Sequence, residues 1–477
     1  MVCAQVALAP TRSDVSGDIP SIEDMSRSAK AFIDGGKVEH FGDTAAILAA
    51  TVPTIAAGPD ATSFGHQAAL LTAVETTARA FDQAPVFLGA EVASAKCVLP
   101  GQTETTMAEA VIEAGGHLVE DLGLDTARRP TVVIGTVSGA RGLVLQVTWD
   151  MWVAHVNVDG VRMRERGNVV LAPVAAAALA VTECFKRALG TEAACYRRRS
   201  LNLWQPDLPF KVTDHLDMNS EALGPDLAYL PQSVWLVGLG HLGQAFAWCW
   251  RLLPYADRAA CQILVQDFDT VNTANRSTGM FIRPEDVGKL KSRVISAALE
   301  RAGFDTRIVE RRLLPKTRRD DVEPALALVG VDKVAPRRII SDVGWTFAVD
   351  VGLGAGPIDF TGISIHGFTN ATSSHEVTAW QSGRSDDRAA RARTQDAYRN
   401  AMTRGADACG MVQVSETAVA APFVGVVAGC LGLAEPLRVL HGQQPHLTLT
   451  FDSGRDAVPR ATKGAGRPRI AYLPAAT

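Results

Sequence analysis

The sequence lacks any Cys-x-x-Cys pair, although its 477 residues include eight cysteines. The cysteines are far apart, at positions 3, 97, 184, 195, 249, 261, 409 and 430. Zinc sites made of thiolates take their ligands from closely spaced pairs, so we expect no bound zinc. Dispersed thiols are typical of a reducing compartment, in which most of them are buried and unreactive.

The sequence also lacks an excess of basic charge and a long apolar run. Its formal net charge is −4 and its pI is near 6.2, which argues against binding to nucleic acid or to an anionic membrane. The most apolar segment, residues 418–433, is shorter than the roughly 18 residues that a membrane span requires. No basic stretch precedes an apolar one at the start, as in a secretion signal. We expect a soluble, cytoplasmic protein whose partner is a protein or a small anion.

What the sequence does contain is a glycine turn between an apolar strand and an apolar helix. Residues 233–237 predict a buried strand, and the turn after it holds Gly238, Gly240 and Gly243 in the spacing GxGxxG. Glycine permits a tight turn and a close approach to a phosphate, and the free N–H groups of a helix start favour negative charge. Glycine pairs also end strands for steric reasons alone, so this turn by itself is a weak indication of a nucleotide site.

Polar side chains follow the next predicted strand. Residues 263–265 lead into Asp267 and Asp269, and a carboxylate in that place accepts hydrogen bonds from ribose hydroxyl groups in NAD, FAD or ATP alike. Asn275 comes next, and Lys291 follows sixteen residues later. A dinucleotide oxidoreductase has no use for these later groups, whereas a triphosphate that reacts at its α-phosphorus requires a cation. The pattern therefore favours ATP.

Two motifs, DxDxVxxxN from Asp267 to Asn275 and VGxxK ending at Lys291, together resemble those of the ThiF-type adenylyltransferases. That family includes the ubiquitin-activating enzymes and the activators of sulfur carriers. The resemblance covers residues 225–445, roughly half of the chain. It implies a Rossmann-like α/β adenylation domain, with a mostly parallel sheet and helices on both faces.

The likeness continues in a predicted strand that ends at Asp332, with Arg337 five residues later. The resemblance implies that Asp332 binds magnesium and that Asp267 contacts the ribose. It also implies that Asn275 and Lys291 contact the phosphates, while the glycines hold the nucleotide close to the backbone.

Some positions keep alternative explanations. Asp269 is either solvated or in contact with magnesium or the ribose, and Arg337 is equally well explained by a structural ion pair. The sequence departs from the family where an arginine usually follows three residues after Asn275, because that place holds Thr278. Either Arg276 has taken over that phosphate contact, or the contact is lost or supplied by another part of the chain.

Cys409 is the candidate for a cysteine that receives the adenylated carboxylate as a thioester. No cysteine occurs between Cys261 and Cys409, and Cys409 lies between a charged segment, residues 381–404, and the last apolar helix. Its place resembles that of the thioester cysteine in the autophagy-type activating enzyme. A helix start helps a nearby thiol to ionise to the attacking thiolate. The alternative is an inert thiol in a loop.

The first half of the chain carries no motif of recognised chemistry, but its helices alternate with strands, which predicts a further α/β domain. Residues 172–190 parallel residues 421–442 in an Ala-Pro start, a run of small apolar residues, a glutamate, a basic residue and a closing glycine. Two alanine-rich helices resemble each other by chance, or the chain is duplicated with an inactive and an active half, as ubiquitin-activating enzymes are. Duplication would let arginines of the first half reach the triphosphate, at positions 141, 162, 164 and 166.

We therefore divide the chain into three parts. Residues 1–215 are expected to form a degenerate, inactive adenylation-like domain, and residues 216–454 the active ThiF-type domain with the catalytic-cysteine loop. Residues 455–477 are expected to be a flexible tail. Pro436 is expected to kink or interrupt the closing helix.

The resemblance implies a bacterial activating enzyme for a ubiquitin-like protein, of the kind found in conjugation operons proposed to act in phage defence. Such an enzyme adenylates the C-terminal glycine of its carrier with ATP and Mg²⁺, forms a thioester on Cys409 and transfers the carrier to a conjugating enzyme. Its catalytic residues would be Cys409, Lys291, Asp332 and Arg276, and it would be a monomer with an internal pseudo-dimer or a homodimer. The alternatives are a sulfur-carrier adenylyltransferase without a thioester, a nicotinamide or flavin oxidoreductase, and a nucleotide-binding scaffold.

Overall fold

The structure is a computed structural model and describes residues 25–122, 129–208, 220–381, 388–455 and 459–476. In this part of the chain a seven-stranded sheet, an eight-stranded sheet and a two-stranded sheet form, with helices packed against them. The two large sheets come from successive halves of the sequence. The fold is mixed α/β with mostly parallel sheets, as predicted.

The first half begins with two short helices and then alternates strands and helices. Its elements are α1 Lys30–Asp34, α2 Asp43–Thr51, β1 Thr54–Ala57, α3 Phe64–Phe81, β2 Pro85–Leu88, α4 Ala90–Ser94, α5 Met107–Glu113, β3 His117–Leu118, β4 Thr131–Ile134, β5 Val144–Asp150, β6 Val153–Asn157, α6 Leu171–Ala188, β7 Arg199–Asn202 and α7 Ser220–Leu223.

The second half repeats this alternation, with a helical segment added before its longest helix. Its elements are β8 Tyr229–Pro231, β9 Ser233–Val237, α8 His241–Arg251, β10 Gln262–Gln266, α9 Lys291–Arg301, β11 Asp305–Val309, β12 Leu326–Val329, α10 Val334–Arg338, β13 Phe347–Leu353, β14 Gly362–Thr369, α11 Thr378–Gln381, α12 Arg388–Arg393, α13 Asp396–Thr403, α14 Ala408–Glu416, α15 Pro422–Leu440, β15 His446–Asp452, β16 Arg460–Lys463 and β17 Tyr472–Pro474.

The two large sheets share one topology. The first has the order β3-β2-β1-β4-β5-β6-β7, and the second has the order β11-β10-β9-β12-β13-β14-β15 with β16 added at its edge. In each sheet the first five strands of that order are parallel and the later ones antiparallel. The helices α6 and α15, whose sequences parallel each other, occupy the same place before the seventh strand. This shared topology supports duplication over chance similarity.

The order of the strands determines where a ligand fits in the second half. From β9 the chain proceeds outward through β10 to β11 and then returns to β12, on the other side of β9. Between β9 and β12 the connections therefore diverge, and open α/β sheets bind ligands in the crevice outside the carboxyl ends of such strands. The turn after β9 and the loop after β12 both lie at this crevice.

The halves meet through their long helices. Phe185 of α6 packs on Phe423 of α15, with ring centroids 5.2 Å apart. The Trp248 indole of α8 donates a 3.0 Å hydrogen bond to the Thr72 hydroxyl of α3. Among the described residues, one helix, α15, is long enough and apolar enough to cross a membrane. However, 94% of its most apolar stretch is buried in the protein. Its composition is accounted for by its position in the core.

Two expectations about the end of the chain were wrong. The interruption expected at Pro436 does not occur, because helix α15 continues through Pro436 to Leu440. The fully buried pair Glu435–Arg438, 2.9 Å apart, lies in the same turn. The segment expected to be a flexible tail contains β16, which pairs with β15, and β17, which pairs with β8. Both of these strands cover edges that would otherwise expose unpaired backbone groups.

Candidate functional site

The glycine turn after β9 is shaped by close packing that only glycine permits. Gly238 has a φ of +80°, a conformation that other residues rarely adopt. A Cβ atom on Gly243 would lie 1.9 Å from the Gly238 carbonyl oxygen, and one on Gly238 would lie 3.0 Å from Cγ1 of Val331. These two glycines therefore let α8 start directly against β9 and β12.

Gly240 differs from the other two glycines of the turn. A Cβ atom on Gly240 would meet nothing within 4 Å, so the space beside it is open. Helix α8 begins at the next residue, and no side chain caps its first N–H groups. Open space beside uncapped N–H groups at a helix start is the arrangement that binds a phosphate.

Asp267, at the carboxyl end of β10, is buried and holds the glycine turn in place. Its Oδ2 accepts a 2.6 Å hydrogen bond from the Leu239 N–H group, and its Oδ1 accepts one of 2.8 Å from the Asp269 N–H group. The ribose contact expected of Asp267 would use the remaining lone pairs of the same oxygens.

Lys291 is the first residue of α9, and its ammonium group lies 3.3 Å from Oδ2 of Asp269. The lysine side chain is 11% exposed, while the Asp269 side chain is 51% exposed. Backbone contacts fix the loop between Asp269 and Lys291. Thr270 and Leu290 form an antiparallel β-bridge, and the Lys291 N–H group donates to the Asp269 carbonyl oxygen. A mostly buried cation with one long contact to an exposed carboxylate is available to a phosphate.

Asn275 lies in a 3-10 turn, Thr273–Ser277, and its Oδ1 accepts a 3.0 Å hydrogen bond from the Asn272 N–H group. Gln244 connects the segment after this turn to the glycine turn, because it donates to the Leu239 carbonyl oxygen and accepts from the Phe281 N–H group. The Asn275 side chain thus has a structural function, and its amide NH₂ group makes no hydrogen bond to the described residues.

Arg276 is exposed, whereas Thr278, in the place of the family arginine, is buried. The Arg276 guanidinium forms no ion pair within the described part of the chain. Of these two residues Arg276 is the one that is exposed to solvent, and it remains the candidate for the phosphate contact that Thr278 cannot make.

Asp332 follows β12 at the crevice, one residue after Val331, which packs against Gly238. It is exposed and has no hydrogen-bond partner in the ranges that the structure describes. Arg337 donates to the Val331 carbonyl oxygen at 2.7 and 2.9 Å and lies 3.5 Å from the buried carboxylate of Asp350. Arg337 therefore acts in the structure by fixing the loop that presents Asp332.

A magnesium ion is compatible with this loop. Within the described ranges no group of three or more His, Cys, Asp or Glu side chains could enclose a metal ion. Mg²⁺ bound to a nucleotide needs only one or two protein carboxylates, since phosphates and water complete its octahedron. The exposed, unpaired Asp332 fits that requirement.

Two arginines of the first half reach the second half near Asn275, and sequence reasoning identified neither. The backbone N–H group of Arg27 donates a 3.1 Å hydrogen bond to the Ser277 hydroxyl, and burial lowers the pKa of the Arg27 guanidinium. No ion pair of Arg27 occurs within the described ranges. Arg79 of α3 donates to the carbonyl oxygens of Gly279 and Met280, at 2.6 and 3.1 Å. Neither arginine stands in a motif; their contacts in the structure connect them with the segment that follows Asn275.

The arginines that duplication suggested are engaged elsewhere or exposed. Arg166 pairs with Asp150 at 2.7 Å, and Arg162 bonds to Asp60 and to Glu165. Positions 141 and 164 are exposed.

The corresponding edge of the first half is occupied by its own side chains. Arg162 bridges Asp60, in the turn after β1, to Glu165, which also accepts a 2.8 Å hydrogen bond from His66. Burial favours the neutral acid, but the hydrogen bonds from Thr136 and Arg162 outweigh it and lower the pKa of Asp60 to about 2. These charged side chains neutralise one another at the sheet edge of the first half. The corresponding edge of the second half has an open glycine turn instead.

Cys409 lies in the first turn of α14 and is exposed, whereas the other cysteines of the described ranges are buried. Asp407 caps the helix by accepting a 2.6 Å hydrogen bond from the Gly410 N–H group. Beyond α14, the Val419 N–H group donates to the carbonyl oxygen of Ala355, just after β13. The chain that carries Cys409 therefore returns across the carboxyl edge of the sheet.

The cysteine segment, residues 388–416 with helices α12 to α14, has no helical counterpart among the described residues between β6 and α6 and is anchored on the first half. The Tyr398 hydroxyl of α13 donates to Asp34 of α1 at 2.8 Å and accepts from Lys30 at 3.2 Å. The Asn400 amide donates to the Glu39 carbonyl oxygen at 2.9 Å. Both halves thus hold the segment in place.

The two α/β halves share one topology, which defines a duplicated doubly wound protein. Of the two sheet edges described above, that of the second half has the open glycine turn, so the nucleotide-type crevice lies there. The family model of the BilD N-terminal domain matches residues 54–203, and that of the BilD C-terminal domain matches residues 230–443. The bacterial E1-like protein BilD of Collimonas sp. (strain OK412) is 35% identical over 426 residues, which are 88% of this chain and 89% of that protein. The chain belongs to the BilD family.

Solved structures resemble part of the chain. E. coli MccB with succinimide aligns with a TM-score of 0.33 and 13% identity, over 50% of this chain and 65% of that one. E. coli MccB with ATP aligns with a TM-score of 0.32 and 12% identity, over 50% and 64%. PaaA aligns with a TM-score of 0.31 and 16% identity, over 49% and 64%.

Proposed function

We propose that the chain activates the C-terminal glycine of a ubiquitin-like protein, first as an adenylate and then as a thioester on Cys409. Membership of a family with an E1-like relative supports this. The observation that carries the proposal is the open glycine turn at the uncapped start of α8, with the exposed Asp332 on the loop that packs against it. Within the described ranges the exposed side chains of Arg276 and Asp332 and the partly buried side chain of Arg27 form no ion pair, which leaves them available to a nucleotide.

In the first step a carboxylate oxygen of the carrier attacks the α-phosphorus of ATP. The new C–O–P linkage forms, the bond from the α-phosphorus to the bridging oxygen breaks, and pyrophosphate leaves. Two anions must approach each other, so positive groups and N–H donors are required in place beforehand. Lys291, Arg276 and the start of α8 supply them, and a magnesium ion held by Asp332 would neutralise charge on the phosphates.

In the second step the Cys409 thiolate attacks the acyl carbon of the adenylate. A thioester forms, AMP leaves with the electrons of the broken acyl–oxygen bond, and the thiol proton is lost to solvent. Three features support Cys409: its exposure, its place in the first turn of α14, and the return of its segment across the carboxyl edge of the sheet. A conjugating enzyme would then take the carrier by exchange of thioesters.

The setting that we infer follows the family resemblance: a bacterial cytoplasmic conjugation operon that acts in antiviral defence. The shared topology of the halves supports an internal pseudo-dimer, in which the first half contributes arginines and anchors the cysteine segment rather than binding ATP.

Exchange of labelled pyrophosphate into ATP, with candidate carriers ending in glycine, tests the first step, and mass spectrometry of thiol-sensitive carrier adducts tests the second. We expect Cys409→Ala to keep the exchange and lose the adduct, and Asp332→Ala to lose both. Cys430→Ala, at a buried thiol of α15, is the matched control and should keep both.

Each other pattern contradicts a stated part of the proposal. An adduct on Cys409→Ala means that another group is the nucleophile. Exchange by the wild-type protein without any adduct indicates a sulfur-carrier type of adenylyltransferase, and nucleotide binding without exchange indicates a scaffold. Hydride transfer to a nicotinamide or flavin, without exchange of pyrophosphate into ATP, would indicate an oxidoreductase instead.

A further inference from the structure

A serine, a histidine and a glutamate at the sheet edge of the first half form a hydrogen-bonded chain that the activation chemistry does not use. Ser63 caps the start of α3, the helix that follows β1. Its Oγ lies 2.7 Å from Nδ1 of His66, and Nε2 of His66 lies 2.8 Å from Oε2 of Glu165. A hydroxyl within hydrogen-bond reach of a base, which a third group orients, is the arrangement of an activated nucleophile.

The partners of His66 determine where its ring proton lies. Burial favours the neutral acid in Glu165, but the hydrogen bonds from Arg162, His66 and Thr148 outweigh it and lower the pKa of that carboxyl. Ionised Glu165 has no proton to give, so Nε2 of His66 carries the proton and donates it to the carboxylate. Nδ1 is then the unprotonated nitrogen, and the Ser63 hydroxyl donates to it.

The orienting glutamate is itself fixed in place. Its Oε1 accepts a 2.8 Å hydrogen bond from the Thr148 hydroxyl and one of 2.9 Å from Nε of Arg162. Glu165 has a φ of +48°, a strained conformation for a residue other than glycine, which persists only where the surroundings enforce it. The side chains of His66 and Glu165 are 9% and 6% exposed, whereas Ser63 is exposed. The base therefore lies beneath the surface and the nucleophile at it.

The charges around His66 are suited to the imidazolium that forms when the serine gives up its proton. Arg162 pairs with both Asp60 and Glu165, so one positive and two negative side chains leave one negative charge beside a neutral histidine. Protonation of His66 brings this sum to zero, which favours the transfer at a buried ring. The same negative charge disfavours an anionic substrate.

The start of α3 also offers donors to a developing oxyanion. The backbone N–H groups of Phe64 and Gly65 open the helix and have no acceptor among the described residues. Phe64 directly follows the serine, and the N–H group of that residue stabilises the oxyanion in hydrolases whose nucleophile stands between a strand and a helix. Nucleophile, base, orienting acid and oxyanion donors thus occur together.

We infer that Ser63 is the nucleophile of a second site, which hydrolyses uncharged acyl esters. Its Oγ attacks the acyl carbon while its proton passes to Nδ1 of His66. The bond from the acyl carbon to the leaving oxygen breaks, and the alcohol departs with that proton. Water then attacks the acyl serine through the same histidine, which releases the carboxylic acid and restores the Ser63 hydroxyl. This inference does not depend on the chemistry proposed for the crevice.

Two measurements on the full-length chain test this site. Both use Cys409→Ala as the parent protein, because the exposed thiol would itself react with an ester. An alkyl fluorophosphonate, which modifies activated serines with loss of fluoride, should label Ser63, as located by mass spectrometry of peptides. The parent should also hydrolyse p-nitrophenyl acetate, and His66→Gln should slow this by on the order of 10²-fold or more, as the loss of a general base does.

Ser63→Asn separates the nucleophile from the helix cap, since asparagine caps a helix as well as serine does. This variant should keep the stability of the parent and lose both labelling and hydrolysis. Thr106→Asn is the matched control, because Thr106 caps α5 without a histidine partner and should keep both.

A parent protein without an adduct on Ser63 overturns the inference, and so does hydrolysis at the parent's rate by Ser63→Asn or by His66→Gln. If neither variant folds, the labelling of the parent decides, because it requires no change at the site. An adduct on Ser63 then supports the inference, and its absence overturns it.

Discussion

The Asp267 carboxylate accepts a 2.6 Å hydrogen bond from the backbone N–H group of Leu239, in the middle of the glycine turn. One residue at the end of β10 thereby fixes the loop at the end of β9. The carboxylate that the motif assigns to a ribose contact has a structural function before any ligand binds.

This relationship predicts that Asp267→Ala is destabilising as well as inactivating. The variant leaves the N–H group of Leu239 without an acceptor in a buried place, which costs about 1–3 kcal/mol. Urea denaturation monitored by tryptophan fluorescence measures the loss. Asp269→Ala is the control, because the Asp269 side chain is half exposed and its contact with Lys291 is long. Equal losses in the two variants would contradict the structural function of Asp267.

The glycine turn makes a second prediction, in which two neighbouring glycines behave differently. Gly243→Ala forces a methyl group against the Gly238 carbonyl and should reduce the free energy of unfolding by about 1–3 kcal/mol, as overpacking does. Gly240→Ala has open space and should leave stability unchanged, but it narrows the place where a phosphate is expected and should weaken ATP binding. Denaturation and ATP titration of both variants separate the two effects. Unchanged ATP affinity in Gly240→Ala would mean that the nucleotide lies elsewhere.

Much of this crevice could be predicted from the sequence because the signals are local. The motif residues Asp267 and Asp332 each follow a strand, and parallel strands bring their carboxyl ends to one edge. The structure places them around the same turn, although their contacts with a nucleotide remain predictions. The parallel between residues 172–190 and 421–442 likewise indicated the shared topology of the halves.

The contributions that could not be predicted depend on contacts between distant parts of the chain. Arg27 and Ser277 are 250 residues apart, and no spacing rule connects them. The strands β16 and β17 were missed because proline and basic residues there are typical of a flexible segment, whereas pairing with β15 and β8 decides their conformation. Burial between two halves likewise outweighs the helix-breaking tendency of Pro436.

Arg27 provides a third prediction. It is largely removed from water, lies beside the turn that holds Asn275, and has no ion pair in the described part of the chain. If it contacts the triphosphate, Arg27→Ala should slow ATP–pyrophosphate exchange by on the order of 10²-fold, as the loss of one preorganised donor does. Arg166→Ala is the matched control, since Arg166 pairs with Asp150 inside the first half. Exchange that falls equally in both variants would indicate a general effect on folding instead.

The last prediction concerns pH and His241, the first residue of α8. Its ring packs against α15, where a Cβ atom on Gly425 would lie 2.2 Å from its Nε2, and burial lowers the pKa of His241 from 6.5 to about 4. Between these two values the unfolded chain binds a proton that the folded protein does not, so acid destabilises the fold. From pH 7 to pH 5 this group alone should cost the wild-type protein about 2 kcal/mol.

Urea denaturation of the wild-type protein and of His241→Asn across that range measures the effect as a difference. The free energy of unfolding of the wild-type protein minus that of the variant should fall by this amount as the pH drops. His155, whose pKa burial also lowers to about 4, is present in both proteins and cancels. A difference that stays constant with pH would show that His241 takes up its proton in the folded protein, and that the His241 ring is open to water rather than packed against α15.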